Sequence, residues 1–332
     1  MTNSQLPRRN LLHLAAGAAA LLALSSAAEA QNWPTRPVTM VVAFAAGSGD
    51  DVFARIVGPR LSELLGQQVI IENIGGAGGM TGTARVARAA PDGYQFVLGG
   101  TGTFAANQTL YKNPLYNAAT DFTPVALVAE QPMLIIVRKD LPVNNLAEFV
   151  AYAKANHDKL QFGSGGPGSA THLACMLLNS AIGVDVTHVP YRAAAQATQD
   201  LIGGRLDYVC PIASTAIPHI DSGRVKALAI LKSRSPILPN LATAQEQGLA
   251  GFEAFFWDGF FLPKGTPAAI VKRLHDATVG VMETPAVADK LKEIGAEFVT
   301  SDRRSPEYLQ KFVEREIEKW AGPIRASGLS ID

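Results

Sequence analysis

The feature that most constrains this fold is a regular exchange of short apolar runs and longer amphipathic ones, opening at VTMVVAFAAGSGDDVFAR, Val38 to Arg55. Val38 to Phe44 has the length and β-branched content of a strand covered on both faces. A helix from Val52 follows, with Asp50 or Asp51 placed to cap it. Between strand and helix, Gly47 and Gly49 let backbone N–H groups approach a ligand closely, at a helix end that favours an anion. The exchange continues through helix Val52 to Leu65, strand Gln68 to Glu72, helix Gly79 to Ala89 and strand Tyr94 to Leu98. Such an order closes as a parallel sheet flanked by helices.

A second alternation has strands at Met133 to Val137, Leu160 to Gly163, Val186 to Val189, Leu206 to Cys210 and Lys226 to Leu231. Helices near Leu146 to Ala155, Ser169 to Ile182 and Ala193 to Ile202 separate them. Two α/β lobes are therefore expected, each a mainly parallel sheet flanked by helices, with a cleft between them. Phe122 to Glu130, interrupted by Pro124, is placed to carry the chain out of the first lobe, and Phe252 to Leu262 to bring it back. Helices Ala268 to Met282, Ala286 to Ile294 and Pro306 to Ala326, introduced by Pro267, Pro285 and Ser305-Pro306, then clothe the first lobe. On this reading residues 31–130 with 258–332 form one lobe and residues 131–257 the other. A chain that leaves a lobe and returns makes a hinge of more than one strand, which suits closure over a ligand.

Residues 1–30 read as an export signal, with Arg8 and Arg9 as the charged start, Leu11 to Leu24 as the apolar centre and Ala28-Glu29-Ala30 as the processing site. The mature chain is then expected to start at Gln31, in the periplasm. The paired arginines leave general secretion and twin-arginine export both open. Lys plus Arg equals Asp plus Glu at 29 each, which excludes a basic footprint for nucleic acid and a polybasic face for anionic lipid. The two cysteines, Cys175 on an expected helix and Cys210 in an expected buried strand, could pair in an oxidising compartment but read as two separate buried thiols.

Several blocks, in order along the chain, resemble one family: the strand, loop and helix at Val41 to Arg55, ENIGGAGGMTGTARVARAAPDGY at Glu72 to Tyr94, GSGGPGSATHLA at Gly163 to Ala174, VTHVPYRAAAQATQDLIGGRLD at Val186 to Asp207 and FLPKGTP at Phe261 to Pro267. The chain resembles the periplasmic solute receptors of the tripartite tricarboxylate transporter, the Bug receptors. The resemblance implies the two-lobed type II periplasmic binding protein fold and no enzymatic activity. It further implies that a small organic carboxylic acid is held mainly by backbone N–H groups and hydroxyls and delivered to a membrane permease. Two departures bear on the ligand. The first loop reads Ala45-Ala46-Gly47-Ser48-Gly49-Asp50-Asp51, where the family pattern is proline-rich with three glycines, so Asp50 adds a carboxylate that opposes a second anionic group unless it points outward. After Leu206 to Cys210, Pro211-Ile212 stands where the family often offers Asp or Asn.

Other chemistry is poorly supported. Gly163-x-Gly165-x-x-Gly168 and Gly100-x-Gly102 lack the acidic residue that closes the next strand of a dinucleotide site. No Gly-Lys-Ser/Thr follows a glycine run, and no Gly-x-Ser-x-Gly elbow surrounds Ser48, Ser164, Ser169 or Ser214. His172 and His188 read as structural, and His172 with Cys175 gives too few ligands for zinc. No cofactor or metal is expected. Among Phe255, Phe256, Trp257, Phe260 and Phe261 most read as core, with Trp257 the candidate for a ligand wall. The expected ligand-binding residues are Ala46, Gly47, Ser48, Gly49, Asp50 and Asp51 from the first loop, Thr101 and Thr103 from the next, Ser164, Gly168, Ser169, Ala170 and Thr171 from the second lobe, and Ser214. The partners expected are the small organic acid and the permease, with the receptor a monomer. The rivals are a secreted enzyme of carboxylate chemistry using a perturbed Asp50-Asp51 pair, and a ligand-sensing partner of a membrane kinase.

Overall fold

The computed structural model describes residues 32–331 apart from 236, 327 and 329, so the expected export signal lies outside the described residues. Two sheets organise the chain. The first holds β1 (Val38–Val42), β2 (Val69–Asn73), β3 (Gln95–Gly100), β4 (Phe122–Pro132), β10 (Phe255–Pro263) and β11 (Glu297–Phe298), in the order β11-β4-β10-β3-β1-β2. The second holds β5 (Leu134–Arg138), β6 (Gln161–Ser164), β7 (Thr187–Pro190), β8 (Tyr208–Val209) and β9 (Val225–Ile230), in the order β7-β6-β8-β5-β9. β1 lies inside its sheet, and its Val38, Met40, Val41 and Val42 are fully buried, as an apolar run covered on both faces must be.

The parallel character expected from the alternation holds for β2, β1 and β3, and for β7, β6 and β8. The remaining pairings are antiparallel, which makes both sheets mixed. The cause is the path between the sheets. β4 leaves the first sheet and continues directly into β5 of the second, while β10 returns beside β4 in the opposite sense, from Phe255↔Pro132 to Pro263↔Phe122.

Helices cover the sheets: α1 (Gly49–Leu65), α2 (Met80–Ala87), the short α3 (Asn107–Leu110), α4 (Leu146–Asn156), α5 (Ala170–Ile182), α6 (Ala194–Ile202), α7 (Ala213–Asp221), α8 (Ala268–Met282), α9 (Pro285–Glu293) and α10 (Pro306–Ala326). α1 starts three residues before the expected Val52, and neither Asp50 nor Asp51 caps it. Ser48 does: its backbone is extended and its Oγ accepts from the Asp51 N–H at 3.3 Å, so both aspartates fall inside the first turn. α1 buries Phe53, Ala54, Val57 and Leu61 in one cluster with Phe96 and Phe260 of the first sheet.

The two cysteines are not separate thiols. Cys175 and Cys210 form a disulfide with Cα atoms 5.4 Å apart. α5 lies over the second sheet with its second turn at the end of β8, and folding brings together two fully buried sulfurs that the chain separates by 35 positions. Trp257 is not a ligand wall either. Fully buried, it stacks edge-on with Phe312 of α10 at 5.2 Å and donates from Nε1 to Glu316 Oε2 at 3.1 Å. Along β10 alternate side chains point to opposite faces, so the neighbouring Phe256 takes the cleft side.

Candidate functional site

The starts of α1, α5 and α6 face a small cavity between the sheets. Phe44, Ser48, Gly49 and Asp50 line it from the first lobe; Gly165, Ser169, Ala170, Thr171, Ala193, Ala194 and Ile212 line it from the second, with Phe256 of β10. Its volume is about 30 Å³, room for little more than a water molecule. The residue before α7, Ile212, fills much of the space, its Cδ1 lying 2.8 Å from where a Cβ on Gly49 would stand. At one seam beside it the lobes also approach through backbone. A Cβ on Gly78 would stand 2.3 Å from the Pro167 carbonyl oxygen, and one on Gly102 would stand 2.6 Å from that of Gly168. The Tyr111 hydroxyl donates across the same seam to Pro167 O at 3.4 Å.

The second lobe supplies donors. Ser169 caps α5 by accepting from the His172 N–H, and its own hydroxyl donates to Gly166 O at 2.7 Å. Thr171 Oγ1 accepts from Gly165 N–H at 2.9 Å and lies 3.1 Å from Ser169 Oγ. α6 has Ala193 at its N-cap position and no side-chain cap, which leaves its first N–H groups to whatever enters the cavity. Two helix starts side by side carry partial positive charge, which suits an anion such as a carboxylate.

Behind this loop the rings of His172 and His188 lie against each other, tilted by 32° with centroids 4.3 Å apart. Burial drives the His172 ring down to about 3, helped by His188, and burial drives His188 down to about 4. Both are neutral near pH 7. Gly168 N–H donates to His172 Nδ1 at 3.2 Å, and Ser164 Oγ pairs with His188 Nε2 at 2.6 Å. The histidines thus hold the glycine loop from beneath.

The first lobe supplies acid. Asp50 lines the cavity and is only 4 % exposed, so it does not point to solvent. Desolvation raises its carboxyl to about 7, and the Asp51 charge adds to the rise. Asp51 behaves oppositely. Burial pushes it up, but hydrogen bonds from Arg55, the Gly47 N–H and Asn73 outweigh burial and hold it below the usual carboxylate range. Its Oδ2 accepts from Gly47 N–H at 2.9 Å and from Arg55 Nε at 3.0 Å, so Asp51 closes the loop. The perturbed pair that the enzyme rival needs is accordingly divided between one cavity residue and one structural one.

Of the residues expected from the sequence, Ser48, Gly49, Asp50, Ser169, Ala170 and Thr171 come together around the cavity. Ala46 and Gly47 lie exposed outside it. Thr101 and Thr103 are buried and committed to backbone: Thr101 Oγ1 accepts from Trp257 N–H at 3.3 Å, and Thr103 Oγ1 accepts from Gly100 N–H at 3.1 Å. Ser164 is engaged with His188, and Gly168 forms part of the seam between lobes. Ser214 is 6 % exposed with an unpartnered Oγ, 3.5 Å from the position a Cβ on Gly49 would take. Ile212, singled out in the sequence as an apolar replacement, lines the cavity, whereas Phe44, Gly165, Ala193, Ala194 and Phe256 were not among the expected residues. Sequence reasoning also missed Asp258, whose carboxyl is pushed well above the usual range by burial and by the charge of Asp50. A lone acid inside FFWDGFF was the available signal. Among the described residues no group of three or more His, Cys, Asp or Glu could hold a metal ion, and no helix is long and apolar enough to cross a membrane.

Residues 53–329 match the tripartite tricarboxylate transporter family receptor. The chain belongs to that family. Receptors of this family are periplasmic and bind solutes; they are not enzymes. The solved structure of the periplasmic binding protein BugD is 40% identical to this receptor, with a TM-score of 0.86 over 90% of this chain and 99% of that one. MatC from Rhodopseudomonas palustris, with bound malate, is 39% identical at a TM-score of 0.85, covering 88% of this chain and 100% of its own. A second R. palustris protein, Rpa4515 with adipate, is 36% identical at a TM-score of 0.85, covering 90% and 99%. The two-lobed binding protein fold of the receptor is thereby established.

Proposed function

We propose that this receptor traps a small organic carboxylic acid between its lobes and hands it, unchanged, to a tripartite tricarboxylate-type permease. The convergence of the α5 and α6 starts on one interlobe cavity carries the reading, because uncapped N–H groups there suit a carboxylate. Neighbours solved with malate and with adipate support the ligand class. A cavity of about 30 Å³ is too small for such an acid, so binding requires the lobes to part and close again. Residues 31–130 with 258–332 serve as one rigid half and 131–257 as the other, β4 and β10 being the strands that cross between them. A ligand touching both halves shifts the population toward the closed form. The protein acts as a monomer in the periplasm.

Unfolding the purified protein and analysing the released small molecules by mass spectrometry identifies the ligand. A carboxylic acid recovered unaltered after prolonged incubation is expected, whereas a chemically transformed product would favour the enzyme rival. Thr171→Ala removes the hydroxyl that orders Gly165 and should weaken carboxylate binding by about 0.5–1.5 kcal/mol. Calorimetric titration with aliphatic acids of two to six carbons checks this, and an affinity equal to that of the native protein would place the anion site elsewhere. Export should leave a chain beginning at Gln31 or within a residue or two of it. N-terminal sequencing of periplasmic protein reads the cleavage directly, and a chain retaining Arg8 and Arg9 would remove the signal assignment.

A further inference from the structure

Asp50 stands in the first turn of α1, and Asp258, on β10, carries a carboxyl that feels the charge of Asp50. Asp258 is fully buried. It shares a face of β10 with Phe256, which lines the cavity, and with Phe260, which packs under α1, and a register shift in the β4 pairing falls beside it. Among the described residues neither carboxylate is paired with Lys, Arg or His; the nearby Arg55 is committed to Asp51. Gln131 Nε2 donates to Asp258 Oδ2 at 2.9 Å, yet Asp258 Oδ1 and Gln131 Oε1 remain buried without partners. Ser214 Oγ, from the other lobe, is likewise buried and unpartnered against the first turn of α1. Oxygen acceptors therefore collect where the closed lobes expel water, and a donor-rich group is what they lack.

We infer that the ligand bears a protonated amine as well as a carboxylate, its ammonium seated between Asp50, Asp258 and Ser214 and its carboxylate on the starts of α5 and α6. The inference rests on the carboxylate reading above and narrows it to small zwitterions. An ammonium offers three donors and one positive charge to two acids that have no other cation. A second ligand carboxylate would meet like charge in a desolvated pocket, while an aliphatic end would leave the acceptors unpaired.

The test is calorimetric titration of the purified protein at pH 7.5 with four matched series of two to six carbons: amino acids with the amine at each position, dicarboxylates, monocarboxylates and alkylamines, together with the twenty common α-amino acids. At least one amino acid should bind tenfold or more tightly than the dicarboxylate and the monocarboxylate of the same length. Asp50→Asn and Asp258→Asn should each erase most of that preference. Should either variant fail to fold, the preference of the native protein decides alone. Dicarboxylates or monocarboxylates binding best would overturn the amine and leave the carboxylate receptor standing. Alkylamines binding as tightly as amino acids would remove the carboxylate arm and keep the acid pair, and no binding in any series would overturn both.

Discussion

Replacing Cys175 and Cys210 together with serine should lower the unfolding free energy by about 3–4 kcal/mol, the loop-closure entropy returned to an unfolded chain cross-linked across 35 positions. Urea unfolding with a two-state fit measures it, and a reducing agent should reproduce the loss in the unsubstituted protein. The effect should also reach binding. Cys175 lies in the helix whose start lines the cavity, and Cys210 is two residues from Ile212, so the bond ties together two of the cavity elements of the second lobe. A midpoint unmoved by reduction would mean that packing around α5, not the cross-link, holds these elements in place.

The second large effect concerns acidity. Asp50, raised to about 7, and Asp258, raised well above its ordinary value of 3.8, take up protons in the folded state before the unfolded chain does. The contribution of Asp50 to stability is therefore fully present below about pH 4 and is lost as pH rises through 7, and Asp258 acts in the same direction. His172 and His188, held down to about 3 and about 4 from an ordinary 6.5, work in the other direction: their contribution is present above 6.5 and is lost as pH falls. The native profile between pH 5 and 8 is thus a partial cancellation. Asp50→Asn removes the Asp50 part of one side and leaves that of Asp258. The variant should be more stable than the native protein at pH 8, by about 2–4 kcal/mol, and should lose that advantage toward pH 5. Asp51 and Glu130, both held below the usual carboxylate range, matter only in more acid solution. Thermal unfolding of both proteins across this range provides the comparison, and parallel profiles would show that Asp50 titrates normally.

The architecture was legible because its signal is local. Val38 to Phe44 and the helix after it announce themselves through apolar content and glycine, and so does each later repetition of that unit. The antiparallel crossing of β4 and β10 was harder to read, since orientation depends on which sheet receives the chain. Half of the cavity was legible for the same local reason: Ser48, Gly49, Ser169 and Thr171 sit at loop-to-helix junctions. Asp258 was not, because its meaning comes from Asp50, some two hundred positions away in sequence, and nothing local reports that encounter. Trp257 and Phe256 exchanged roles because strand alternation shows that neighbours differ in face without saying which face is the cleft. The disulfide was misread from element type: a helix and a strand looked like separate homes for two thiols, although an export signal and a single cysteine pair pointed to an oxidised bond.

The seam at Gly78 and Gly102 divides labour within the closed receptor. Where two main chains touch with no side chain between them, the fit is set once by backbone shape and cannot be retuned a residue at a time. The halves behave as a fixed mould, and chemical choice is left to the few side chains that reach its interior from both sides, Asp50, Ile212 and Phe256 among them. A side chain placed at 78 or 102 would hold the mould ajar for every cargo alike. Diversification of what such a receptor carries, by nature or by design, is channelled through those interior positions.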